Sequence, residues 1–434
     1  MFTFLHAADI HLDSPLVGLE RYEGAPVDDI RCATREALRN LVTLAISEKA
    51  SFVLIAGDLY DGDWKDYHTG LFFADQMTRL RKADIRVFVA FGNHDAASRI
   101  TRQLGNLPAN VHHFSARRPE TIHLDDIGAA IHGQSYAHPA VTEDLAASYP
   151  PALGDCINIG LLHTALTGRE GHAVYAPCTV EGLVASNYDY WALGHVHHRE
   201  VVRTDPWIVF PGNIQGRHIR ESGAKGCTLV TVGDDRTIRA EHRDLDVLRW
   251  DTIRVDTADA PGPETAIDRF RDAIRKTLND SGSDRPLAIR VILTGTTPAH
   301  TAFSMDPEKW TSEIRAACTD ESGGRIWIEK ILFQTAPPLN RDELARRNDP
   351  IGDLLRFIRE IDRQLMDETG PSGDSLEILK ILNADMVRLK AKLPGEIRNL
   401  DEAGDPGSPD HLKAMLDDIE QTLAARLLAR EDTR

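Results

Sequence analysis

The chain has 434 residues, 42% of them hydrophobic, which is enough for two or three domains with real cores. Its formal net charge of −17 excludes a protein that attracts nucleic acid through its overall field; a polyanionic substrate would need bound cations or a basic partner to overcome the repulsion. Cys32, Cys156, Cys178, Cys227 and Cys318 are odd in number and contain no Cys-x-x-Cys pair, which argues against a disulfide framework and a thiolate zinc site.

The opening MFTFLHAADIHLD reads as a strand running into polar residues. It lacks a basic n-region and a small-residue cleavage site, and no apolar run in the chain is long enough to cross a bilayer, so the expectation is a cytoplasmic protein with no membrane partner. DDIRCATREALRNLVTLAISEKA follows as an amphipathic helix, SFVLIAGD as a buried strand, YHTGLFFADQMTRLRKA as a helix and IRVFVAFGNHD as a third strand. This alternation implies a sheet with parallel pairs covered by helices. Shorter strand signals then follow with few helices between them: VHHFS, TIHLDD, AAIHGQSY, INIGLLHT, YDYWALGHVH, WIVFPGN and CTLVTVGDDRTIRAEHRDL. They predict a second sheet packed on the first.

A smaller α/β unit reads as strand (WDTIRVDT), helix (PETAIDRFRDAIRKTL), strand (PLAIRVILTG), helix (DPEKWTSEIRAAC) and strand (RIWIEKILFQT), closed by the proline-rich TAPPLN. The remainder carries apolar stripes at helical spacing: Leu354, Ile358, Ile361 and Leu365; Leu379, Leu382, Met386, Leu389 and Leu393; Leu412, Leu416, Ile419, Leu423 and Leu427. These stripes either pack on one another or offer a face to a partner's coiled coil. The expected domains are residues 1–247, 248–340 and 341–434.

The residues that carry chemistry stand at the ends of predicted strands: Asp9 and His11, Asp58, then Asn93, His94 and Asp95, His163, and finally His195 and His197. In open α/β sheets ligands bind beyond the carboxyl ends of strands, so five segments can converge on one rim. Oxygen and imidazole donors without cysteine suit divalent first-row metals, and the donor count exceeds the needs of one ion. Residues two apart in a strand share a face, so Asp9 and His11 can grip one ion where the extended geometry persists. Capping and turn chemistry would explain the Asp and Asn residues but not the imidazoles.

Other residues have more ordinary readings. His112 and His113 read as surface histidines and His198 as a neighbour of the cluster. Asp13 and Asp61 are either supports of the ligands or turn residues. The stretch PGNIQGRHIRES brings Arg217, His218 and Arg220 as a candidate phosphate-contacting loop, or as an ordinary basic loop.

The blocks D-x-H, GD, GNHD, H and GHxH, in this order, resemble the calcineurin-like metallophosphoesterases. More finely, ADIHLDSPL, GDLYDG, FGNHD, LGHVHH and the PGN loop are similar to the SbcD and YhaO branch of DNA repair exonucleases. The resemblance implies a four-layer α-β-β-α sandwich, a small α/β capping domain and C-terminal helices. It implies two divalent ions, most often Mn²⁺, with Asp9, His11, Asp58 and His197 around one, Asn93, His163 and His195 completing the other, and Asp58 shared. His94 would then assist the leaving group and Asp95 would orient His94. DNA would be the substrate, an SbcC- or YhaN-like coiled-coil ATPase the partner, and a second copy of the chain a further one. The competing readings are a small-molecule phosphodiesterase or phosphomonoesterase, and a non-catalytic assembly module.

Overall fold

The computed structural model describes residues 1–14, 27–61, 67–97, 107–167, 175–281, 285–338, 341–365, 416 and 419–420. Two compact units divide the chain: Met1–Thr252 with Gly282–Arg290 and Gly323–Lys330, and Ile253–Ser281 with Val291–Ser322 and Ile331–Arg434.

The first unit holds two six-stranded sheets. One contains β1 (Phe2–Ala7), β2 (Phe52–Ala56), β3 (Arg86–Ala90), β4 (Val111–His113), β11 (Gly226–Val232) and β12 (Ile238–Asp244), in the order β12-β11-β1-β2-β3-β4. The other contains β5 (Glu120–Leu124), β6 (Ala129–Gly133), β7 (Ile157–His163), β8 (Tyr190–Gly194), β9 (Glu200–Thr204) and β10 (Trp207–Phe210), in the order β5-β6-β7-β8-β10-β9. The pairs β1–β2, β2–β3 and β7–β8 are parallel, which places their carboxyl ends together.

A strand side-chain period of two sorts the apolar runs between layers. On β2, Phe52, Leu54 and Ala56 face the second sheet, where they meet Ile131, Ile159, Leu161 and Tyr190. Val53 and Ile55 face the other way, onto Ala37, Leu38, Leu41 and Val42 of α1 (Val27–Ser47) and Phe73 and Met77 of α2 (Tyr67–Lys82). A strand buried on both faces must read as a continuous apolar run, and FVLIA does. Phe4 and Phe52 stack at 4.8 Å between ring centroids, and Phe4 meets Tyr190 edge-on at 5.4 Å. Truncating such a ring to alanine costs about 3–5 kcal/mol. The outer face of the second sheet is covered by Tyr149, Cys178 and Leu183, the last on the short helix Val180–Ala185. This is the expected α-β-β-α order, with a thin fourth layer.

Several details differ from the sequence expectation. The third strand stops at Ala90, and Asn93–Ala97 is a short helix, α3, rather than the strand's continuation. The later strand signals do not all build the second sheet: β4, β11 and β12 extend the first. The strand β9 lies in HREVVRT, where no strand was expected.

A three-stranded sheet is built from β13 (Arg249–Asp256), β14 (Leu287–Thr296) and β15 (Ile326–Ala336), in that order. In the second unit, helices Pro263–Ser281 and Pro307–Ser322 are tied by Arg271 and Arg275 to Glu321, with Phe270, Ile274 and Ile314 buried. Helix Ala299–Met305 is an addition to the sequence reading. Helix Pro350–Leu365 buries Ile351, Leu355, Ile358 and Ile361. The stripe at Leu379–Leu393 lies outside the described residues, as does the stripe from Leu412 to Leu427 except Leu416 and Ile419. Among the described residues, no helix is long and apolar enough to cross a membrane.

Candidate metal centre

The loops after β1 and β2 run side by side. Asp9 N donates to Gly57 O (3.0 Å), His11 N to Asp58 O (3.0 Å) and Leu12 N to Leu59 O (2.9 Å). Neither loop is extended: Asp9, His11 and Asp58 have φ of 50°, 44° and 51°, and His195 after β8 has φ of 102°. The shared aim of Asp9 and His11 therefore comes from left-handed turns, not from strand alternation, which ends with β1 at Ala7. The two sheets touch at this rim. His163 Nδ1, at the end of β7, donates to Ala56 O at 2.9 Å, and a Cβ built on Gly194 would fall 1.8 Å from the same oxygen. Only glycine fits at Gly194. Gly57 is equally constrained, with φ of 91° and an added Cβ 2.2 Å from His163 Nδ1.

All seven expected metal residues meet there. His11 Nε2 lies 3.2 Å from His197 Nε2, and Asp9 Oδ1 3.8 Å from His197 Nε2. Asp58 Oδ2 lies 3.9 Å from His11 Nε2 and 3.5 Å from His163 Nε2, so this carboxylate faces both halves of the cluster. His163 Nε2 is 3.0 Å from Asn93 Oδ1, and the His163 and His195 rings are 5.1 Å apart, edge to face. Three overlapping groups have donor atoms within 4.8 Å of one another: Asp9, His11 and His197; His11, Asp58 and His94; Asp58, His163 and His195.

The donor set fits cations. His163 spends its Nδ1 proton on Ala56 O, so Nε2 turns a lone pair toward the oxygens of Asn93 and Asp58. His197 spends its Nδ1 proton on Glu221 Oε1 (2.7 Å), so its Nε2 lone pair faces His11. Acceptors pointing at acceptors repel one another, and a cation between them turns that repulsion into coordination. The electrostatics agree. Burial lowers His11 and His163 to about 3, which keeps both rings neutral. Burial, reinforced by the charge of Asp58 and opposed by His197, raises Asp9 to about 7. A bound cation would supply the positive charge that a carboxylate as deeply buried as Asp9 needs to stay ionised.

The expected support of His94 needs correction. Asp95 does not reach the His94 ring; its carboxylate accepts the backbone N–H groups of Leu59 (3.1 Å), Tyr60 (2.9 Å) and Gly92 (3.0 Å), and so staples the loop after β2 to the start of α3. Adjacent residues on a helix point in different directions, and that separates the pair. Asp61 takes the role instead, with Oδ1 at 2.8 Å from His94 Nδ1 and 3.5 Å from His11 Nδ1. Burial disfavours a charged His94, but the Asp61 hydrogen bond and the charges of Asp58 and Asp61 outweigh it and raise the ring to about 9. The His94 side chain is 41% exposed, so an imidazolium stands at the mouth of the cluster.

Asp13 is structural: it accepts from Arg35 Nε (2.7 Å) and Thr69 Oγ1 (2.5 Å), joining its loop to α1 and α2. His112 faces Glu120 (3.5 Å) and His113 faces Ser135 (3.1 Å), and neither belongs to the three donor groups. His198 is exposed and also outside them. In the PGN loop, Arg217 does not face solvent; its side chain is 13% exposed and forks onto Glu221. Glu221 was not singled out from the sequence. Its signal was there: it is the one acid in the otherwise basic GRHIRE.

Residues 2–199 match the family of calcineurin-like phosphoesterases, and residues 250–336 match the middle domain of the metallophosphoesterase YhaO. An uncharacterized metallophosphoesterase YhaO of Bacillus subtilis is 39% identical over 300 residues, covering 68% of this chain and 72% of that protein. The chain belongs to the calcineurin-like metallophosphoesterases, in the YhaO family, and is a metal-binding hydrolase. The DNA double-strand break repair protein Mre11 of Archaeoglobus fulgidus is 25% identical over 243 residues, which is 50% of this chain and about half (51%) of that protein's length. A dimetal phosphatase of Danio rerio aligns with 56% of this chain and 96% of its own, at 13% identity and a TM-score of 0.34.

Proposed function

We propose that this metallophosphoesterase is a two-metal phosphodiesterase that cleaves DNA, the nuclease subunit of a repair assembly with a coiled-coil ATPase. The observation that carries the two-metal part is Asp58, whose carboxylate faces His11 on one side and His163 on the other. Asp9, His11, Asp58 and His197 would hold one cation, and Asp58, Asn93, His163 and His195 the other. Bound there, two divalent ions, Mn²⁺ in this reading, would neutralise phosphoryl oxygens and bring a water's pKa toward neutrality.

The chain's own residues supply the rest. His94, protonated through Asp61, stands at the mouth to give its proton to the departing sugar oxygen. Glu221 and Ala56 O hold His197 and His163 with their Nε2 atoms inward. The DNA part is supported by the likeness to a protein named for double-strand break repair. The charge of −17 is consistent with a partner that carries the basic surface for DNA.

The test is hydrolysis of an end-labelled DNA duplex and of a bis-aryl phosphodiester by the Mn²⁺-loaded protein, with and without a coiled-coil ATPase. Cleavage of the duplex, lost on His94→Ala by about 10²–10⁴-fold with metal content retained, is the expected result. Turnover of the aryl ester with intact DNA would make the protein a small-molecule phosphodiesterase. Failure to bind manganese would leave only an assembly role.

A further inference from the structure

Glu221 ends a one-turn 3₁₀ helix, Ile219–Glu221, and its side chain is 4% exposed. Both of its oxygens are used. Oε1 receives His197 Nδ1 (2.7 Å) and Arg217 Nη2 (2.8 Å), and Oε2 receives Asn213 Nδ2 (2.9 Å) and Arg217 N (2.8 Å). Arg217 Nη2 also lies 3.4 Å from His197 Nδ1, but a guanidinium can only donate, and the carboxylate is nearer by far. The Nδ1 hydrogen of His197 therefore points at Glu221. The same arginine reaches Ser14 Oγ (3.5 Å) and Asp61 Oδ2 (3.7 Å), and Asp61 in turn holds His94 and His11. The backbone carbonyl of His197 is fixed separately by Lys225 Nζ at 2.8 Å.

We propose that Glu221 is the positioning residue of His197, fixing the Nδ1–H tautomer so that Nε2 is offered to the cluster, and that Arg217 clamps Glu221 and ties it to the Asp61–His94 pair. A buried carboxylate whose Oε1 meets both an imidazole and a guanidinium, and whose Oε2 is held by an amide and a backbone N–H, fixes the ring's rotation and its proton together. The chain His197–Glu221–Arg217–Asp61–His94 then links the metal side of the site to the proton-donating side through charged groups that hold one another in register. This inference rests on the reading of the rim as a metal centre.

The experiment is a double-mutant cycle on Mn²⁺ affinity, measured by calorimetry on the full chain. It uses Glu221→Ala, His197→Ala and the pair, with circular dichroism to report folding. Glu221→Ala is expected to weaken binding at one ion by about 10–100-fold, as for other groups that orient a ligand. In the His197→Ala background it should cost almost nothing more. Glu221→Gln, which keeps an acceptor oxygen for Nδ1–H, should recover part of the loss. In the metal-free parent, long-range ¹H–¹⁵N spectra at alkaline pH should show His197 as the Nδ1–H tautomer. An Nε2–H tautomer overturns the proposal whether or not any variant folds. So does a folded Glu221→Ala protein with parental affinity, or an equal loss in both backgrounds. If His197→Ala itself binds manganese as the parent does, the metal-centre reading fails, and that result is separate from any of these.

Discussion

His94 Nδ1 lies 2.8 Å from Asp61 Oδ1, joining the helix after β3 to the loop after β2 and placing a charged ring at the mouth of the cluster. The ring is held at about 9 against an ordinary 6.5, so it stays charged where a free histidine would be neutral. The pair's contribution to stability is present in full below 6.5 and is lost as the pH rises through about 9. Asp61→Asn keeps the acceptor and removes the charge. The His94 titration in the metal-free protein, followed by NMR, should then move down toward or below 6.5. A titration left near 9 would mean that Asp61 is not its partner.

Asp95 should behave oppositely. Its carboxylate satisfies three buried backbone donors. Asp95→Asn turns an amide N–H toward one of them, and a buried donor left without an acceptor costs about 1–3 kcal/mol. Urea denaturation should register that loss, while the His94 titration stays where it is in the parent. A shift of His94 without a loss of stability would restore the orienting role that the geometry withholds.

Gly57→Ala puts a methyl group on a left-handed backbone and into the His163 ring. The backbone strain alone is worth about 1–3 kcal/mol. The ring must also leave Ala56 O, which releases its tautomer. Both a lower urea midpoint and reduced manganese content are expected. A variant that matches the parent in both would mean that the loop after β2 and the end of β7 approach less closely than described.

His6 gives a pH prediction away from the cluster. It is fully buried between Tyr190 Oη (3.0 Å) and Leu193 O (3.1 Å), and burial lowers it from 6.5 to about 3. Below 6.5 the unfolded chain takes up a proton that the folded chain refuses, so stability falls as the pH drops toward about 3, by about 1.4 kcal/mol per pH unit. His6→Gln has no proton to take up. The metal-free variant should lose stability less steeply over that window in urea titrations, and parallel curves would show that His6 is protonated in the fold.

The donors were legible in the sequence because their types are so unlike their settings: carboxylates and imidazoles at the ends of runs such as SFVLIAGD and INIGLLHT have few structural uses. The inner strands were legible because they are buried on both faces: β2 is continuously apolar, and β7 departs from that only at Asn158, Gly160 and its closing His163. Sheet membership was not. Strand β11 pairs with β1 from the far end of the unit, and nothing local in GCTLVTV records that partner. Contacts across loops were hidden for the same reason. Asp95 adjoins His94 in the chain and so looked like its partner, whereas Asp61, distant in the chain, is the one in reach. The sequence marks Glu221 only as a lone acid in a basic loop, and its importance depends on where the PGN loop folds back, onto His197.

The left-handed φ angles of Asp9, His11, Asp58 and His195 set robustness against chemistry. Each holds a side chain where the backbone would favour none, at a cost of roughly 1–2 kcal/mol relative to glycine. Glycine at any of them would relax the loop and remove a donor in the same stroke. The entropy that glycine adds to the unfolded chain offsets part of that relief, so the rim's strain is a cost of its chemistry that heat resistance alone gains little by removing.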